Sequence, residues 1–162
     1  MARGPPAAQC RPQSVGPTSV STVKRRLFVQ VNRIANAIIR RLKLRRFRGG
    51  DLLFLTTTGR KSGKTRTTPL LYLEDDHRWV VVASNGGADW QPGWWLNLKA
   101  GSPGVVELGG VRTSVTGTEI TGAEREAMWE RLNRRVFDYE SYQRKVSRRL
   151  SVVALESARS AG

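Results

Sequence analysis

Apolar residues recur at helical spacing in the N-terminal third of the chain and in short β-branched runs after it. Val20, Val23, Leu27, Val31, Ile34, Ile38 and Leu42 follow intervals of three and four, which predicts one stripe of a helix of about six turns at 3.6 residues each. Phe28, Ala35 and Ile39 widen the stripe, while Arg25, Arg26, Arg33, Arg40 and Lys43 lie away from it and Lys24 and Arg41 sit on its margin. Arg48-Gly49-Gly50 breaks this pattern. Strands are predicted over Leu52 to Thr58, Thr67 to Leu73, Arg78 to Ser84, Gly104 to Leu108, Val111 to Ile120 and Leu150 to Leu155, with Gly109-Gly110 as a two-residue hairpin turn. One helix is expected from Pro92, a residue suited to a first turn, through Lys99. A second starts at Thr121, with Glu124 placed for a capping box, and continues through Met128, Trp129, Leu132 and Val136. Short strands joined by hairpins, with few long helices, predict an antiparallel β-barrel.

The organisation that follows is a tail over 1–19, rich in proline, glycine and small polar residues and without fixed structure, then an amphipathic basic helix over 20–48, then a β-barrel over 49–158. At 162 residues the chain is large enough for one domain with a core. No stretch approaches the roughly 20 apolar residues of a transmembrane helix, and no secretory signal is expected, since an apolar run near the N-terminus is missing. Cys10 is the single cysteine and His77 the single histidine, so neither a metal cluster nor a Ser-His-Asp hydrolase is expected. An enzyme of this composition needs a cofactor for difficult chemistry.

Charge is unevenly spread. Residues 1–50 hold 12 of the 28 basic side chains and no acid, out of a net +15. The barrel is therefore only mildly basic, and the excess belongs to the N-terminal fifty residues. That helix has three readings: packed on its own domain, lying on an anionic membrane with arginines at the headgroups, or serving as an organelle presequence.

Three segments carry candidate chemistry. Gly59-Arg60-Lys61-Ser62-Gly63-Lys64-Thr65 resembles a phosphate-binding P-loop but has three residues, not four, before its Gly-Lys-Thr, and a strand rather than a helix follows. It reads as a tight connection between strands whose cations, Arg60, Lys61, Lys64 and Arg66, suit an anion. Asn85-Gly86-Gly87-Ala88-Asp89 lets a backbone approach a flat ligand closely, with Trp94 and Trp95 following; taken alone, the pair reads as core tryptophans. Tyr139 and Tyr142, three apart, share a helix face; they either pack or offer phenols to a substrate.

Leu53 to Gly63, Arg66 to Leu70, Val81 to Ser84, Gly86-Gly87 and Pro92 to Ala100 together make the chain resemble the deazaflavin-dependent nitroreductase family, over about residues 25 to 156. The resemblance implies a split β-barrel of the FMN-binding type with two or three further helices. It also implies coenzyme F420, an 8-hydroxy-5-deazaflavin bearing a phosphate and an oligoglutamate tail. On this basis Arg60, Lys61, Ser62, Arg66, Thr67, Thr68, Pro69, Leu70 and Leu71 line the phosphate and tail. Val82, Ala83, Ser84 and Asn85, with Gly93, Trp94, Trp95, Leu96 and Asn97, border the cofactor on the other side. Tyr139 and Tyr142 fall at substrate-side tyrosines, Tyr139 being the first candidate to bond the acceptor oxygen or supply a proton. Asn85 stands where the family often has lysine, and Val136 where well-characterised members have a third tyrosine.

The expected activity is hydride transfer from reduced deazaflavin to a quinone, activated enone or nitroaromatic, in the cytoplasm, with peripheral contact on the inner face of the cell membrane. Two alternatives come from other directions: a related split barrel holding FMN or haem, and a nucleic-acid-binding module suggested by net charge and tryptophan content. Nucleic acid is not expected, because the charge lies outside the barrel and no strand face interleaves aromatic with basic residues.

Overall fold

The computed structural model describes residues 45–47 and 49–158. The tail over 1–19 and nearly all of the helix expected over 20–48 lie outside the described residues. Where the two overlap, the expectation is corrected: Arg46–Phe47 is a short strand, β1, paired antiparallel with Gly50 and Asp51. Gly49, at φ 86°, reverses the chain there, a conformation that glycine adopts without strain.

The remaining elements are β2 (Gly50–Thr58), β3 (Thr65–Asp75), β4 (Arg78–Val82), α1 (Gly93–Lys99), β5 (Gly104–Leu108), β6 (Val111–Glu119), α2 (Gly122–Arg135), a one-turn helix α3 (Glu140–Gln143) and β7 (Val152–Ser157). The strands run in the order β1-β2-β3-β4-β7-β6-β5, and a further β2–β5 pairing closes β2 to β7 into a six-stranded barrel. Every pairing is antiparallel. All six predicted strands of the barrel exist: β2 and β3 run longer than expected, β5 matches, β4 and β6 end earlier, and β7 is shifted two residues along the chain.

Alternation along the strands explains the two cores. Leu53 and Leu55 of β2, Val81 of β4, Val106 of β5, Val115 of β6 and Val153 and Leu155 of β7 point into the barrel. Val80, Val82, Val152 and Ala154 face outward and pack under Met128, Leu132 and Val136 of the α2 region. Fully burying one such aliphatic side chain stabilises by about 1.5–3 kcal/mol, so both faces of β4 and β7 contribute.

Turn chemistry fixes the register. Gly109 and Gly110, at φ 61° and 90°, make the β5–β6 hairpin turn that the sequence predicts. Asp76, at φ 52°, turns β3 into β4 with His77 beside it. The capping box expected at α2 does not form. Thr121 is the N-cap but makes no side-chain cap bond; Glu124 instead accepts Arg78 Nη2 at 2.6 Å. A long-range ion pair takes the carboxylate that the capping box would have used. Arg78 also reaches Asp75 at 2.8 Å, and Arg131 reaches the other Asp75 oxygen at 2.6 Å, which ties α2 to the β3–β4 hairpin. The hydrogen bond from Arg131, helped by Arg78, holds the Asp75 carboxyl below its ordinary value.

Candidate functional site

Antiparallel registers bring the three candidate segments to one end of the barrel. Thr58 pairs with Thr65 and Val82 with Val152, so the 59–64 connection, the segment after β4 and the approach to β7 share that end. The connection is a tight turn: Gly59 N–H donates to Lys64 O at 2.9 Å, and Gly63 N–H to Gly59 O at 2.8 Å.

Its orientation is set from α1. Asn97 is buried, and its side-chain oxygen accepts the Arg60 backbone N–H at 3.2 Å. Its amide donates to Thr57 Oγ1 at 3.1 Å. Asn97, expected to border a ligand, thus spends its side chain holding the loop to the end of β2. Arg60, Lys61, Ser62, Lys64 and Arg66 are all exposed. Among the described residues, none of these four cations enters an ion pair. Thr67, Thr68, Pro69, Leu70 and Leu71 continue from them along β3, all half-buried, and Thr67 shares a hydroxyl hydrogen bond of 2.8 Å with Thr56. Four cations without an ion-pair partner among the described residues, on a hydrogen-bonded turn beside a half-open strand face, form a donor set suited to a phosphate and a run of carboxylates.

Val82 ends β4 and Ala83 follows it, both buried, and Ser84 and Asn85 come next, half-buried. Asn85 takes φ 50°, a left-handed conformation that asparagine tolerates, and its amide donates to Trp90 O at 3.1 Å. Its side chain closes the segment on itself. Gly86 and Gly87 are also left-handed. A Cβ on Gly87 would lie 3.4 Å from the Tyr142 ring, so this glycine provides both the turn and the close approach. Gly93 opens α1 exposed, and Leu96 is half-buried. Trp94 and Trp95 are buried among Leu53, Leu55 and Val106. The tryptophans therefore belong to the barrel interior, as the reading of the pair taken alone had it.

The tyrosines divide. Tyr142 lies in α3, half-buried, its ring 5.1 Å from that of Phe137 and Lys145 Nζ 5.6 Å above it. Tyr139 is not a second residue of that helix face; it precedes the helix as its N-cap. It is 4% exposed and packs between Trp129 and Phe137. Burial, with a smaller push from Tyr142, raises its phenol well above the ordinary tyrosine range. Neither hydroxyl makes a hydrogen bond among the described residues. Val136 is buried against Leu71 and Tyr139 in the outer core. It also borders a shallow recess of about 190 Å³ with Gly50, Tyr72 and Arg135. A larger open hollow of about 560 Å³ lies at the β3–β4 hairpin, around Asp76, His77 and Glu156. It sits at the opposite end of β4 and gathers none of the candidate residues.

Sequence-based reasoning missed Arg148. Its Nε donates to Ala88 O at 3.1 Å, and its Nη2 to Ala83 O and Ser84 O, each at 3.0 Å. Lying in a run of cations from Arg144 to Arg149, it carries no signal that separates it from a solvated face.

Comparison with known proteins gives a consistent set. The family model described as F420H(2)-dependent quinone reductase matches residues 25–157. The chain is 34% identical over 140 residues to an F420H(2)-dependent quinone reductase of Mycobacterium tuberculosis strain H37Rv, covering 82% of this chain and 94% of that protein. The solved structure of an F420-H2 dependent reductase is similar, with a TM-score of 0.58 at 36% identity over 65% of this chain and 93% of that one. Another, described as a domain-swapped dimer, has a TM-score of 0.60 at 31% identity, covering 86% of this chain and all of that one, 100%.

Proposed function

The chain belongs to the F420H(2)-dependent quinone reductase family, and from that premise we propose that its acceptor is an apolar quinone reduced at the barrel end that carries the cationic turn. The protein is an oxidoreductase, and its cofactor is coenzyme F420 rather than FMN or haem. When bound, this 5-deazaflavin supplies a hydride and, having carbon in place of a flavin nitrogen, reacts poorly with oxygen. The observation that carries the reading is the set of cations, without an ion-pair partner among the described residues, on a turn fixed by Asn97.

Arg60, Lys61 and Arg66, with Ser62 and the Thr67 to Leu71 face, hold the phosphate and tail through charge-assisted hydrogen bonds. Val82, Ala83, Ser84 and Asn85, with Gly93 and Leu96, form the opposing border through backbone and small side chains. Trp94, Trp95 and Asn97 shape that border from within, since their side chains are occupied by packing or hydrogen bonds. Orientation is the protein's main contribution, because a rigid border aligns donor and acceptor before reaction. Tyr142, the more accessible phenol, hydrogen-bonds the acceptor oxygen and steadies the charge that develops there. Tyr139, the first candidate from sequence, backs it: a deeply buried phenol whose proton is held more tightly is the weaker acid. Val136 leaves that side of the pocket apolar, which favours quinones over nitroaromatics. The acid-free amphipathic segment over 20–46 holds the enzyme at an anionic membrane surface, where apolar quinones dissolve.

The test is purified protein with reduced F420 and menadione, followed by absorbance. Protein-dependent oxidation of the cofactor that requires the quinone supports the reading. Equal rates on a nitroimidazole remove the preference assigned to Val136.

A further inference from the structure

We propose that Arg148 is a positioning residue for cofactor binding, fixing the width and shape of the segment 83–88 before the ligand arrives; this rests on the reading that the segment borders the deazaflavin. Asn85, Gly86 and Gly87 are three successive residues in the left-handed region, two of them glycine. Glycine gains this conformation at the expense of many others, so the segment's own sequence underdetermines its shape. An external template is required. Arg148 provides one, because a single planar guanidinium spans the carbonyls of Ala83 and Ser84 at the start of the segment and of Ala88 at its end. The planar fork fixes the relative positions of its donors, whereas an ammonium radiates its three N–H groups from one nitrogen on a flexible stem.

Neighbouring contacts act in the same direction. Asp89 Oδ1 accepts the Ser147 backbone N–H at 3.0 Å, which anchors the residue next to Arg148. Tyr142 packs on Gly87 from the same stretch of chain. The segment from 142 to 148 therefore crosses the glycine segment and links the phenol proposed for the acceptor to the border proposed for the cofactor. Stability alone is a poor account of this arginine. Among the described residues its Nη1 is buried without a hydrogen-bond partner, and burial disfavours its charge, with Asp89 only partly opposing. What the guanidinium contributes is geometry.

Fluorescence titration of reduced F420 tests this on the full chain, using wild type, Arg148→Lys and Arg148→Ala, with melting temperatures measured in parallel. Arg148→Lys keeps the charge but loses the fork. Its Kd rises about tenfold, the effect of losing one or two charge-assisted hydrogen bonds, and with menadione the change falls on the KM for the cofactor more than on kcat. Methylguanidinium, but not methylammonium, restores binding to Arg148→Ala. If Arg148→Ala does not fold, Arg148→Lys decides alone. A folded Arg148→Lys that binds within twofold of wild type overturns the proposal, as does a melting temperature lowered with Kd unchanged. Wild type that fails to bind reduced F420 overturns the functional reading beneath it and this inference with it.

Discussion

Asn97 holds Arg60 by its backbone, not by its charge: the buried side-chain oxygen accepts the Arg60 N–H at 3.2 Å while the amide donates to Thr57 at 3.1 Å. The turn is thereby rigid at its root and leaves its guanidinium and ammonium groups available. Asn97→Leu is close in volume but offers no hydrogen bonds, leaving the Thr57 hydroxyl and Arg60 N–H without them. A loss of about 1–3 kcal/mol of stability is expected, with a several-fold weaker Kd for reduced F420. Chemical denaturation and cofactor titration measure the two effects separately. Unchanged affinity in the destabilised variant would mean that the clamp serves folding only.

Acid should loosen α2 from the β3–β4 hairpin. Asp75 is bonded by Arg131 and Arg78, and its carboxyl lies below the ordinary value of 3.8. A depressed carboxylate contributes stability that is present above its unfolded value and lost as pH falls through its folded one. Melting temperature is therefore expected to drop below about pH 4, and to drop less steeply in Asp75→Asn, which starts less stable at pH 7. Parallel acid profiles for the two proteins would remove Asp75 from the account.

Much of this is legible in the sequence. Leu52 to Thr58 reads as a strand and Gly109-Gly110 as a hairpin turn; both are local signals, and the fold preserves them. Thr121 and Glu124 also made a local signal, yet Glu124 is drawn to Arg78, 46 residues away in sequence. Tyr139 and Tyr142 looked like one helix face because spacing alone cannot show that α3 is a single turn beginning after Tyr139. Arg148 could not be found by pattern, since its partners are backbone carbonyls that every residue carries.

The tyrosines give a clear kinetic contrast. Tyr142→Phe removes an accessible hydroxyl with no hydrogen-bond partner among the described residues and is expected to lower kcat on menadione about a hundredfold, the lower end of general acid or oxyanion contributions. Tyr139→Phe removes a hydroxyl from a deeply buried ring and should change kcat by less than about threefold. Steady-state rates at saturating cofactor decide. A reversed order would restore Tyr139 as the leading residue.

Residues 20–46 should direct the protein to anionic membranes. Flotation with vesicles containing anionic lipid is expected to carry the full chain, and to fail both with neutral vesicles and at raised ionic strength, where surface attraction is screened. Binding that survives deletion of residues 1–46 would contradict the assignment.

The most direct measurement is the rate at which menadione oxidises reduced F420 in the presence of wild type, Lys61→Ala and Arg66→Ala, at low and high salt. The cationic turn predicts turnover with F420H2 and not with reduced FMN. It also predicts a cofactor KM that rises about tenfold in each variant, as expected for a lost charge-assisted hydrogen bond, and that rises with salt in wild type more than in the variants. Equal cofactor KM in all three proteins, or equal turnover with reduced FMN, would contradict the assignment of this turn as the deazaflavin-binding element.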